Sequence, residues 1–156
     1  MQTDENNYNH NEMSKENISI TKEATPTKKK SRYKILFVDD DYDILISIKR
    51  CLEDNDFIVD TFSNPLEVIS AFKPELYDLM LIDIKMPKMN GFELYQELRK
   101  KANNVDIKTC FITAYEIYYE TLKKDFPELN VGCFISKPID STNLVKRIRE
   151  ELEIQV

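Results

Sequence analysis

Residues at four places in this chain could do chemistry together. Asp83 closes the apolar run "LMLID" (Leu79 to Asp83). Asp39, Asp40 and Asp41 follow "ILFV", Thr113 follows "CFI", and Lys137 follows "CFIS". An acid at the end of a buried run must be paired, bound to a cation, or used. Asp39, Asp40 and Asp83, brought together, repel one another, and one of them tends to keep a proton. A divalent cation removes that conflict. The donors are all oxygens, with no histidine or thiolate beside them, which suits Mg2+ or Mn2+. Thr113 adds a hydroxyl and Lys137 a fixed positive charge. Such a set suits an anionic group with several oxygens, and a phosphoryl group fits. Phosphoryl transfer asks a protein for little beyond positioning and charge stabilisation. Asp83 is then the nucleophile, forming an acyl phosphate. Asp41 reads instead as the cap or first turn of a helix.

These positions converge only if the elements before them form one sheet. "YKILFVD", "FIVDTF", "DLMLID", "KTCFITA" and "VGCFIS" are short apolar or β-branched runs and read as five strands. Between and after them lie helical patterns. "DYDILISIKRCLEDN" has Ile44, Leu45, Ile48, Cys51 and Leu52 at helical spacing, with acids at its start. "NPLEVISAFK" opens on Asn64 as cap and Pro65 in the first turn. "GFELYQELRKK", "YEIYYETLKKDF" and "DSTNLVKRIREELEI" complete five strand–helix units. Strict alternation predicts an α/β fold, a doubly wound parallel sheet with helices on both faces. Parallel strands are covered on both sides, so they read as unbroken apolar runs. Ligands of such folds gather at the C-terminal ends of the strands, where these acids, the threonine and the lysine fall.

Composition removes several function classes. The only histidine, His10, sits among asparagines, so a Ser-His-Asp, Cys-His or phosphohistidine centre has no suitable residue. The two glycines, Gly91 and Gly132, cannot make a G-x-G-x-x-G or Walker-type loop. A net charge of -6 argues against direct nucleic-acid binding, which needs a basic face. No apolar run has membrane-spanning length, and no signal peptide pattern is present, so a cytoplasmic protein without membrane insertion is expected. Cys51, Cys110 and Cys133 lack C-x-x-C spacing and read as reduced thiols. Residues 1–32 are polar, with isolated apolar residues at no period, and are expected to be a disordered arm ahead of one domain over residues 33–156.

The motifs in order resemble the receiver domain of two-component response regulators. The residues that carry the likeness are "ILFVDDD", "LMLIDIKMPKMNGFEL", "FITAY" and "FISKPID". The resemblance implies a flavodoxin-like (β/α)5 fold with strand order 2-1-3-4-5, which is the handed-down order of that fold class. It implies Asp83 as phosphoacceptor, with Thr113 and Lys137 contacting the phosphoryl group. Asp40 becomes a direct Mg2+ ligand, Asp39 one acting through water, and the Lys85 backbone carbonyl a further ligand. Thr113 and Phe134 take the switch positions, and Lys137–Pro138 is the expected cis peptide. The implied partners are a histidine kinase or phosphotransfer protein and a downstream protein target. A homodimer through the helix after strand four, strand five and the last helix is a further implied contact. The chain ends at Val156, soon after the last predicted helix, so a stand-alone receiver with no turnover enzyme activity is expected. Two rivals share the residues: a Mg2+-dependent aspartyl-nucleophile phosphatase, and a receiver-like binding module that is not phosphorylated. Lys85 and Tyr115, two residues beyond Asp83 and Thr113, are bulky and suggest a long-lived phosphoryl state.

Overall fold

A computed structural model describes residues 31–114, 120, 124–125, 127 and 133–154. The elements are β1 (Lys34–Val38), α1 (Tyr42–Glu53), β2 (Ile58–Phe62), α2 (Pro65–Ala71) and a 3-10 turn (Pro74–Leu76). They continue with β3 (Leu79–Asp83), α3 (Gly91–Ala102), β4 (Lys108–Thr113), β5 (Cys133–Ser136) and α4 (Ser141–Glu151). The helix expected over residues 115–126 lies mostly outside the described residues, as do the first 30 residues of the arm.

The five strands form one sheet in the order β2-β1-β3-β4-β5, every pair parallel, as the resemblance implied. The central strand β3 is buried at all five positions. That burial explains its unbroken apolar sequence, since both faces meet helices. Alternate side chains divide between two cores. Ile35, Phe37, Leu79, Leu81, Cys110 and Ile112 face α1 and α4, whose Leu45, Ile48, Leu52, Leu144 and Ile148 close that side. Leu36, Val38, Met80, Ile82 and Phe111 face the opposite core, covered by Val68 of α2 and Leu94 and Leu98 of α3. Fully burying one such leucine stabilises by about 1.5–3 kcal/mol. Truncating Leu81 or Leu98, both fully buried, opens a cavity and costs about 2–5 kcal/mol.

Local signals set the helix starts. The Asp41 carboxylate accepts from the Asp43 and Ile44 amides and caps α1, the role its position suggested. Asn64 caps α2 with Pro65 in the first turn. Asn90 and Glu93 form a reciprocal capping box at α3, a signal present in "NGFE". Before β1, Arg32 donates to the carbonyls of Asp56 and Phe57. No helix among the described residues is long and apolar enough to cross a membrane.

The expectation of three reduced thiols needs correcting. Cys110 and Cys133 pair in register on β4 and β5, with Cα atoms 4.5 Å apart, and are joined by a disulfide. They are 23 residues apart in sequence, so only the strand order makes them neighbours. Cys51 remains a free thiol.

Candidate functional site: an acidic pocket with one lysine

The pocket is built by the ends of four strands. β1 carries Asp39, whose amide donates to the Phe62 carbonyl and so extends the ladder with β2 by one bond. Asp39 is 1 % exposed and Asp83, the last residue of β3, is 4 % exposed. Asp40 is exposed. Thr113, at the end of β4, is buried beside them. β5 delivers Lys137, whose amide donates to the Thr113 carbonyl at 2.7 Å. The Lys137–Pro138 peptide is cis, as the family likeness implied.

Lys137 is shared. Its ammonium donates to Asp39 Oδ2 at 2.6 Å and to Asp83 Oδ1 at 3.0 Å. Asp39 uses its other oxygen to accept the Asp41 amide at 2.9 Å. The sequence places the lysine as a fixed charge beside one carboxylate and a phosphoryl group; the second bond, to Asp39, is added by the structure. The signal was there in the count: three acids and one lysine at one edge.

The loop from β3 to α3 is held against the C-terminal end of β3. The Ile84 amide donates to the Ile112 carbonyl, and the Gly91 amide to the Ile84 carbonyl at 2.8 Å. A Cβ at Gly91 would collide with the Asp83 carbonyl oxygen. Glycine is therefore required by close approach, and it keeps α3 packed against the strand end. Lys88 takes a left-handed conformation (φ 70°) in the same loop. The Lys85 side chain is exposed and Met86 is buried.

Electrostatics mark Asp83 as the odd group. Burial raises its pKa first, and the charges of Asp39 and Asp40 add to that; the hydrogen bond and charge of Lys137 oppose it. The result is about 6 against an ordinary 3.8. For Lys137, burial disfavours the ammonium, but the hydrogen bonds to Asp39 and Asp83 outweigh it and raise the pKa. Lys137 thus serves both buried acids, Asp39 and Asp83. Carboxylate oxygens of Asp39, Asp40 and Asp83 lie within 4.8 Å of one another. An oxygen-only donor set with uncompensated charge fits a hard divalent cation.

Phe134 sits outside this cluster on β5. Its ring centroid is 5.6 Å from that of Phe111, which also meets Phe92 and Tyr95 edge-on. The structure thus gathers Asp39, Asp40, Asp83, Thr113 and Lys137 at one edge and places Phe134 in the aromatic layer next to Thr113's strand. Tyr115 lies outside the described residues.

Known proteins resemble this chain in sequence and fold. A family model described as "Response regulator receiver domain" matches residues 35–149. A "Probable transcriptional regulator ycf29" of Porphyra purpurea is 33% identical over 119 residues, covering 75% of this chain and 55% of that protein. "Response regulator Rre1" of Synechocystis sp. is 32% identical over 124 residues, covering 78% of this chain and 52% of that protein. The matches therefore span about half the length of these two curated relatives. Among solved structures, the response regulator TrrA of Thermotoga maritima, in complex with Mg(2+)-BeF, superposes with a TM-score of 0.63 at 28% identity. It covers 76% of this chain and 98% of that one. With the fold, the acidic pocket and these matches in agreement, the chain belongs to the receiver-domain family of two-component response regulators.

Proposed function

We propose that residues 33–156 form a phosphorylation-dependent switch, preceded by a polar arm over residues 1–32, and that Asp83 is its phosphoacceptor. The observation that carries this reading is the position of Asp83: a buried carboxylate at a strand end, 3.0 Å from the Lys137 ammonium and close to the carboxylates of Asp39 and Asp40. In the forward step, an Asp83 oxygen attacks the phosphorus of a phosphohistidine on a histidine kinase or phosphotransfer protein. The new O–P bond forms as the P–N bond breaks, leaving an acyl phosphate and free histidine. Asp83 must be ionised to attack, so its pKa of about 6 limits the metal-free reaction in acid. Asp39, Asp40, Asp83 and the Lys85 carbonyl would hold Mg2+ or Mn2+, which supplies charge neutralisation for the incoming phosphoryl oxygens.

Lys137 is already aimed at Asp83 and pairs with the phosphoryl group once it arrives. Thr113, buried at the end of the neighbouring strand, donates its hydroxyl to a phosphoryl oxygen. The added charge, about -1.5 to -2 by analogy with other phosphorylated side chains, draws both inward. Phe134 follows by turning within the aromatic layer it shares with Phe111. The face made by β5, α4 and the segment between β4 and β5 then changes its partner, a downstream protein or a second copy of the chain. The role is regulatory, in a cytoplasmic phosphorelay, rather than that of a turnover enzyme.

Intact mass after incubation with Mg2+ and a small acyl-phosphate donor tests the reading. One added phosphoryl group on wild type, and none on Asp83→Ala, is expected. Unmodified wild type, or equal modification of both, overturns it. Steady turnover of a small phosphate ester would instead favour the phosphatase rival, which lacks its usual second acid because Lys85 stands there. Lys85→Ala and Tyr115→Ala should each speed loss of the phosphoryl group, if the bulk at these two positions slows water.

A further inference from the structure

We propose that Cys110 and Cys133 are a reversible thiol–disulfide pair that clamps edge strand β5 to β4 and so fixes the register in which Lys137 reaches the acidic pocket. Four observations carry this. The two residues occupy paired positions on adjacent strands, with Cα atoms 4.5 Å apart, and are bonded. That spacing lies within the range a disulfide requires. The clamp and the pocket sit at opposite ends of one short ladder: Cys110 pairs with Cys133, and Thr113 with Ser136. Lys137 follows at once, its amide on the Thr113 carbonyl. β5 has four residues and only one neighbour, so it is the strand that opens or slips at least cost. A slip by one residue moves Lys137 by about 3.3 Å and turns its side chain to the other face.

Both cysteine residues are buried, at 0 % and 1 % exposure, so exchange requires local opening of this edge. The reaction consumes one low-molecular-weight disulfide. A Cys thiolate attacks a sulfur of R–S–S–R, giving a mixed disulfide and one R–SH. The second Cys displaces the other R–SH, closing the internal bond. Two thiols are oxidised and one external disulfide is reduced to two thiols. A Glu151 carboxylate oxygen lies within 4.8 Å of both sulfurs.

The clamp's effect on Asp83 rests on the phosphoacceptor reading; the clamp itself does not. The test uses the full chain carrying Cys51→Ala, held in oxidised or reduced glutathione. After oxidation the mass should fall by two hydrogens and denaturation should expose no thiol to iodoacetamide; after reduction, two thiols should react. Amide exchange at Phe134 to Ser136 should be about tenfold faster in the reduced form. Acyl-phosphate loading of Asp83 should be about tenfold slower in that form. Adding Cys133→Ala or Cys110→Ala should abolish every redox difference. Thiols that stay alkylatable after oxidation, thiols shielded by a retained metal ion, or equal exchange in the two forms overturn the clamp. Redox-dependent exchange with no loading in either form upholds it and sinks the phosphoacceptor reading instead.

Discussion

Two lysine–aspartate pairs sit in the same sheet and behave in opposite ways. On the β2 side, Lys34 meets Asp60 at 2.8 Å, and Tyr77 donates to the same Asp60 oxygen at 2.8 Å. The Lys34 ammonium also lies 5.4 Å from the Tyr77 ring centroid. Burial pushes the Asp60 pKa up, but the Lys34 and Tyr77 hydrogen bonds and nearby lysine charges outweigh it, and the pKa is lowered. At the strand ends, Lys137 meets Asp83 at 3.0 Å, yet the Asp83 pKa rises to about 6. The residue types and distances match. The difference is stoichiometry and solvent: Asp60 is partly exposed and has two donors, whereas Asp83 is buried and shares one lysine with Asp39. A balanced pair holds a fold together. A buried pocket left short of positive charge is prepared for a cation or for a reaction.

Removing Lys137 should break the contrast most sharply. Lys137→Met leaves Asp39 and Asp83 buried without their shared partner, and the expected loss is about 3 kcal/mol at neutral pH. The loss should shrink as pH falls and one acid takes a proton, and added Mg2+ should restore part of it. Urea unfolding with and without Mg2+ measures both; a Mg2+-insensitive loss would contradict a cation site. Asp83→Asn should act in the other direction. A carboxyl whose folded pKa is raised carries no penalty below its unfolded pKa of 3.8, and its ionisation destabilises the fold as pH rises through about 6. The variant escapes that penalty, so at pH 7 it should be more stable than wild type by on the order of 2 kcal/mol. The gain should be absent below pH 4 and should diminish with Mg2+ present. Denaturant midpoints across that range check the slope.

Much of this was legible in the sequence, for identifiable reasons. Strands buried on both faces announce themselves as runs such as "LMLID", and caps such as Asp41 and Asn64 are read from residue type and place. Asp39, Asp40, Asp83, Thr113 and Lys137 were found because each follows an apolar run, and a parallel sheet delivers such positions to one edge. Three things were hidden. The Cys110–Cys133 bond depends on β5 lying beside β4, and a separation of 23 residues in sequence carries no trace of that. The second bond of Lys137 joins residues 98 apart. The Lys34–Asp60–Tyr77 group was invisible because Asp60 looks like ordinary alternation within "FIVDTF".

The smallest expected effect sharpens the comparison furthest, because its pH slope has the opposite sign. Tyr77→Phe keeps the ring that stacks on Phe72 and removes only the hydroxyl donor to Asp60. A hydrogen bond to a charged group contributes about 1.5–3 kcal/mol when buried, but Asp60 is 38% exposed, so a loss of about 1 kcal/mol or less is expected. Asp60 has a lowered folded pKa. Its contribution is therefore full above the unfolded value of 3.8 and is lost as pH falls through the lower folded value. Tyr77→Phe should accordingly match wild type in acid and fall below it in stability as pH rises, whereas Asp83→Asn should match wild type in acid and rise above it as pH climbs from 4 to 6. Both variants followed by urea unfolding between about pH 3 and 7 decide the matter. If the two variants depart from wild type with the same sign as pH rises, charge balance is not what separates the Lys34–Asp60 pair from the acidic pocket.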